Sequence, residues 1–166
     1  MIIVSACLVG INARYDQKSN SHPQLIEEMR RGGLLPLCPE QLGGLPTPRI
    51  PCEIRGGTAA ELLWQHQQED EDKPVRVVNR AGKDVTAQFV KGAEEVARLA
   101  DFYGVKAAVL KARSPSCGCG KIYDGSFSHQ VIDGYGVTAE ALLQRGVTVI
   151  TEEDYTSEWM ERMKTL

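Results

Sequence analysis

The chain has 166 residues, of which 42% are hydrophobic and 25% charged, and a formal net charge of −3. That length suits a single domain, residues 1–166, with a substantial core, and the mild acidity argues against non-specific nucleic-acid binding, which needs a strongly basic surface. No apolar run approaches the roughly 20 residues of a membrane-spanning helix. The apolar start, Met1 to Gly10, has no basic lead-in and reads as a strand rather than a signal peptide, so a cytoplasmic protein is expected.

Taken in order, residues 2–6 are a short apolar strand suited to a parallel sheet. A loop follows from Cys7 to Asp16. A helix then opens over Ser21 to Met29, with Ser21 or His22 as cap, Pro23 in the first turn and Gly32-Gly33 as its end. Leu34 to Leu37 is a second strand. Residues 38–58 hold four prolines and four glycines, which predicts an irregular connection, and Leu42, Leu45, Ile50 and Ile54 make it an ordered active-site loop rather than a disordered one. Thr58 to Gln68 is a short helix, and Glu69 to Lys73 a solvated charge run. Val75 to Val78 and the turn at residues 81–84 suggest a small strand pair. Asp84 or Thr86 caps a helix over Gln88 to Tyr103, with Phe89, Val90, Ala93, Val96, Ala97 and Ala100 on one face. Val105 to Leu110 is a third core strand. Val137 to Gln144 is a helix, Val147 to Thr151 a fourth strand, and Glu152 to Met163 a C-terminal helix. There is no internal repeat or interdomain linker. The alternation predicts a three-layer, Rossmann-like α/β fold with a mainly parallel sheet.

In such folds ligands bind beyond the carboxyl ends of the strands. Three of the five cysteines, Cys7, Cys38 and Cys117, follow an apolar run, and the fold would bring them to one sheet edge. Thiolates suit zinc or an iron–sulfur cluster. A structural zinc would want a fourth ligand, and Cys119 lies only two residues from Cys117. His22, His66 and His129 show no ligand spacing. Three ligands with a vacant position describe a cluster with one open iron. Free cysteines are also common as small core residues, and that alternative stands on spacing alone.

Several motifs together carry a resemblance. They are Ser5-Ala6-Cys7-Leu8-Val9-Gly10 with Arg14-Tyr15-Asp16, then Cys38-Pro39-Glu40 with Gly43-Gly44-Leu45-Pro46-Thr47-Pro48-Arg49. Leu110-Lys111 with Ser114-Pro115-Ser116-Cys117-Gly118 follows, then Ile122-Tyr123-Asp124-Gly125 and Gly134, Gly136-Val137-Thr138-Ala139. The chain so resembles, over nearly its whole length, a small bacterial family long classed as a domain of unknown function, whose characterised members are thiouracil desulfidases. The resemblance implies a 4Fe–4S cluster held by Cys7, Cys38 and Cys117 with one open iron. It also implies non-redox removal of sulfur from thiolated uracil or 4-thiouridine nucleotides, releasing hydrosulfide. Cys52 and Cys119 fall outside the implied ligand set.

The resemblance implies an acidic and a serine partner, mapped to Glu40 and Ser114, with Ser116 the competing serine and a substrate contact. Glu40 is well placed as general base, two residues from an implied ligand. Arg14, Arg49 and Lys111 stand beside motifs as donors to a substrate phosphate, and Gly10, Gly43 and Gly44 could offer backbone N–H groups to an anion. No P-loop or dinucleotide fingerprint is present. The expected partner is a small thiolated pyrimidine or nucleotide, with intact tRNA disfavoured by the acidic balance. Two other classes use the same cysteines: a structural-zinc or nucleotide-binding module, and a sulfur carrier forming a persulfide on Cys117 or Cys119.

Overall fold

The structure is a computed structural model describing residues 1–68 and 74–166; the expected charge run at residues 69–73 lies outside the described residues. Its centre is a parallel four-stranded sheet of β1 (Ile2–Ser5), β2 (Leu34–Leu37), β5 (Ala107–Leu110) and β8 (Thr148–Thr151), in the order β2-β1-β5-β8. Val4 pairs with Pro36 on β2 and Val109 on β5. Pro36 is tolerated because β2 is an edge strand, where a missing N–H breaks no inner ladder.

Side chains alternate between the two faces of the sheet. Ile2, Val4, Ala107 and Val109 pack with Leu25 of α1 (Pro23–Arg31) and Met160 of α6 (Ser157–Lys164). Ile3, Ala108 and Leu110 pack instead with Val96 and Ala100 of α4 (Thr86–Tyr103) and Leu142 of α5 (Val137–Leu143). These are the three layers the alternation predicts. All six apolar residues expected on the face of α4 are buried.

The 38–58 connection is more regular than its prolines and glycines suggest. It holds the short helix α2 (Pro39–Leu42) and strand β3 (Cys52–Arg55). β3 pairs antiparallel with β4 (Arg76–Asn79), so β4's partner lies upstream and not across the 81–84 turn, where only a Val78–Asp84 bridge forms. Between them runs α3 (Ala59–Gln67), started by a reciprocal Thr58–Glu61 capping box. A second antiparallel pair, β6 (Lys121–Tyr123) with β7 (Val131–Asp133), was not legible in the sequence. The C-terminal helix begins at Ser157 rather than Glu152. Glu152 is drawn to Lys111 and Ala112, Asp154 accepts from Thr151, and Thr156 supplies the cap to the Trp159 N–H.

Gly43 and Gly92 set the position of α2. A Cβ on Gly43 would stand 1.9 Å from the Gln88 oxygen, and one on Gly92 2.0 Å from the Pro39 oxygen. The two backbones therefore touch, and Glu40 is held at a fixed depth against α4.

Candidate active site

The strand order reverses at β1, whose neighbours β2 and β5 lie on either side, and the crevice beyond their carboxyl ends is where such sheets bind ligands. A cavity of about 340 Å³ opens there, lined by Cys7, Cys38, Cys52 and Cys117 among others. Cys7 sits in a 3₁₀ turn (Ala6–Val9) directly after β1, closed by Gly10 at φ 92°. Cys38 caps α2 directly after β2. Cys117 lies in the turn after β5, where the Ser114 hydroxyl accepts from the Ser116 and Cys117 N–H groups, both at 3.1 Å.

Burial raises all three thiols. Burial, then the nearby Cys38, pushes Cys7 up to about 11. Burial raises Cys38, against the pull of backbone N–H groups and Arg49. Burial raises Cys117 too, with Cys38, Cys7 and Glu40 adding to it and a hydrogen bond from Ser5 opposing. A cationic centre binding all three would remove that cost, so the donor set fits a thiolate-held metal group. Among the described residues no three or more His, Cys, Asp or Glu side chains converge tightly enough for one metal ion. A structural zinc needs ligands within about 2.0–2.3 Å of one point, whereas a cuboid cluster attaches each thiolate to a different iron and needs them farther apart.

Burial raises the Cys119 thiol. Cys119 packs against the core away from the cavity, with its thiol donating to the Val149 oxygen. Cys52 does line the cavity, pushed up to about 12 by burial and then by Glu40.

Glu40 is at the cavity with 14% of its side chain exposed. One oxygen accepts from the Ser116 hydroxyl at 3.0 Å, the other from Arg49 Nε at 2.5 Å. Ser116 was expected to touch substrate, but it is 1% exposed and off the cavity wall, behind Glu40. Ser114 faces the cavity. Arg49 was expected to bind phosphate, yet its N–H groups go to Glu40, Thr47, Pro46, Ala13 and Cys38. Arg14 and Lys111 line the cavity, paired with Asp16 and Glu152, and both cations favour the Cys7 thiolate. The expected anion-binding amides are occupied: Gly10 N–H donates to Ala6, Gly43 N–H to Pro39 and Gly44 N–H to Gln41.

The sequence did not reveal the opposite wall. Tyr123 ends β6, Phe127 and His129 come from the β6–β7 connection, and Arg80 follows β4. The buried Glu53 carboxylate holds that connection by accepting from the Gly125 and Phe127 N–H groups, and Arg55 donates twice to the Gly125 oxygen. Phe127 and His129 adopt left-handed φ of 57° and 61°, a conformation non-glycine residues keep only where surroundings impose it. The guanidinium of Arg80 lies 5.9 Å from the Phe127 ring centre. The alternation of Glu53 and Arg55 with Cys52 and Ile54 was the available strand signal.

Comparison with known proteins adds three findings. Residues 2–154 match the model of the 2-thiouracil desulfurase family. The chain is 39% identical over 154 residues to the uncharacterised protein YbbK of Bacillus subtilis (strain 168), covering 93% of this chain and 97% of that one. It is also similar to a solved structure of the 4Fe–4S-dependent thiouracil desulfidase TudS, with 38% identity, a TM-score of 0.82, and 99% and 98% of the two chains covered.

Proposed function

The chain belongs to the 2-thiouracil desulfurase family, and from that premise we propose that it is a desulfidase that exchanges the sulfur of a thiolated uracil for oxygen by hydrolysis. The observation that carries this reading is the meeting of Cys7, Cys38 and Cys117 at one cavity beyond the sheet's carboxyl edge. Those three thiolates would hold a 4Fe–4S cluster, the group named for the similar TudS structure. A bound cluster with one iron free of cysteine supplies a Lewis-acid site for the thiocarbonyl sulfur.

The protein's own groups supply the rest. Glu40 takes a proton from the attacking water at the oxygen shared with Ser116, while Arg49 keeps the carboxylate oriented. Ser114 has both backbone bonds on its oxygen lone pairs and offers its hydroxyl proton to the substrate ring. Lys111 and Arg14 offset negative charge beside Cys7. The proton on Glu40 returns to the departing sulfur, and the hydroxyl added to the ring carbon gives up its own proton to that sulfur as the carbonyl forms. One water is consumed, a carbonyl replaces the thiocarbonyl, hydrogen sulfide leaves, and no net electrons move.

The enzyme is a cytoplasmic protein of one domain acting on a small thiolated pyrimidine, as base or as 4-thiouridine monophosphate. Its net charge of −3 disfavours intact tRNA. Among the described residues no helix is long and apolar enough to cross a membrane. The test is anaerobic: iron and acid-labile sulfide per chain with the visible spectrum, then thiouracil and 4-thiouridine monophosphate followed by their near-ultraviolet bands. About four irons per chain and a bleaching band are expected. Zinc alone, or turnover by iron-free protein, would overturn the proposal.

A further inference from the structure

We infer that Arg49 is a positioning residue that ties the three cysteine-bearing loops to one another and fixes Glu40, rather than a ligand for substrate phosphate. This rests on the reading of Cys7, Cys38 and Cys117 as cluster ligands. The Arg49 side chain is 7% exposed, and a guanidinium has five N–H donors in a rigid fork. Here each donor has a partner. Nε donates to Glu40, Nη1 to Thr47 Oγ1 at 2.9 Å and the Pro46 oxygen at 3.3 Å, and Nη2 to the Ala13 oxygen at 2.9 Å and Cys38 Sγ at 3.8 Å. None remains for a phosphate.

The partners lie on two of the three loops, and Glu40 reaches the third. Ala13 follows Cys7 on the β1 loop, and the Arg49 backbone N–H adds a bond to the Tyr15 oxygen at 2.9 Å. Glu40 and Cys38 are on the β2 loop. Glu40 carries the link onward by accepting from Ser116, the neighbour of Cys117 on the β5 loop. One guanidinium and one carboxylate thus join all three candidate ligand loops through protein groups alone. The same guanidinium stands as a donor beside Cys38 Sγ, where a bound thiolate would accept it. Lysine keeps the charge but has one nitrogen, so it cannot span Glu40, Ala13 and Cys38 together.

The test compares wild type with Arg49→Lys as full chains. Hydrogen exchange is measured with and without the cluster, together with iron release to a chelator and turnover of 4-thiouracil and 4-thiouridine 5′-monophosphate. Arg49→Lys should speed exchange in residues 11–16 and 39–50 alike, even without metal. Iron release should be faster and kcat lower by about tenfold to a hundredfold, the usual effect of losing an outer-shell partner. The loss should be the same factor on both substrates. Wild-type exchange in residues 11–16 would overturn the inference, and so would a loss confined to the phosphate-bearing substrate, which would make Arg49 a phosphate ligand. If Arg49→Lys does not fold, Ser116→Ala carries the exchange comparison in residues 39–50 and 114–118, where unchanged exchange would equally overturn it. A wild type that turns over neither thio-compound would defeat the desulfidase reading, while exchange and iron release would still decide the role of Arg49.

Discussion

On the sheet wall of the cavity, Arg14, Arg49 and Lys111 each meet a carboxylate, at Asp16, Glu40 and Glu152. On the hairpin wall, Arg80 is exposed and its guanidinium lies beside the Phe127 ring, with no carboxylate partner among the described residues. The cations of the first wall are balanced locally and serve the thiols and Glu40. The cation of the second keeps donors open beside an aromatic face, the pairing that suits a flat ring carrying an anionic group. The two walls come from elements of different origin: strand ends of the parallel sheet on one side, two small antiparallel pairs on the other.

The largest expected effect breaks the sheet wall itself. Replacing Cys7, Cys38 or Cys117 by serine one at a time should abolish the visible absorbance and iron content of anaerobically reconstituted protein, whereas Cys52→Ser and Cys119→Ser should keep both. Full iron in Cys7→Ser would remove it from the ligand set. Next comes Glu40→Gln, which keeps a hydrogen-bonding side chain between Ser116 and Arg49 but removes the base. Its kcat should fall by about 10²–10⁴-fold, the range for general bases, with iron retained; a wild-type kcat would return Glu40 to a purely structural part.

Arg80→Ala probes the other wall. Losing a charge-assisted contact worth about 1.5–3 kcal/mol should raise KM for 4-thiouridine monophosphate roughly tenfold or more, and by more than it raises KM for the free base. Equal effects on the two would erase the distinction between the walls. The smallest effect lies beneath the hairpin wall, where α3 packs Leu62 and Leu63 against Ile54 and Val77. Thr58→Ala removes the cap that accepts from the Glu61 N–H at 3.2 Å and should cost about 1 kcal/mol in denaturant unfolding, with the ratio between substrates preserved.

Local pattern determined much of this protein. The apolar runs read at residues 2–6, 34–37, 105–110 and 147–151 hold the four strands of the parallel sheet, and the two inner ones, β1 and β5, are buried along their whole length. Glycines after the helices mark their ends, and cysteines placed just past strands fall at the carboxyl edge because chain direction and topology leave them nowhere else. Only the tertiary structure decided how those residues are used. Arg49 and Ser116 both bond to Glu40, a pairing set by bonds spanning 9 and 76 residues of sequence. The hairpin wall depends on Glu53 reaching backbone N–H groups 72 and 74 residues away. Periodicity reports which face of an element is apolar. It carries no information on which polar side chain finds which partner, since that pairing exists only once distant segments have packed.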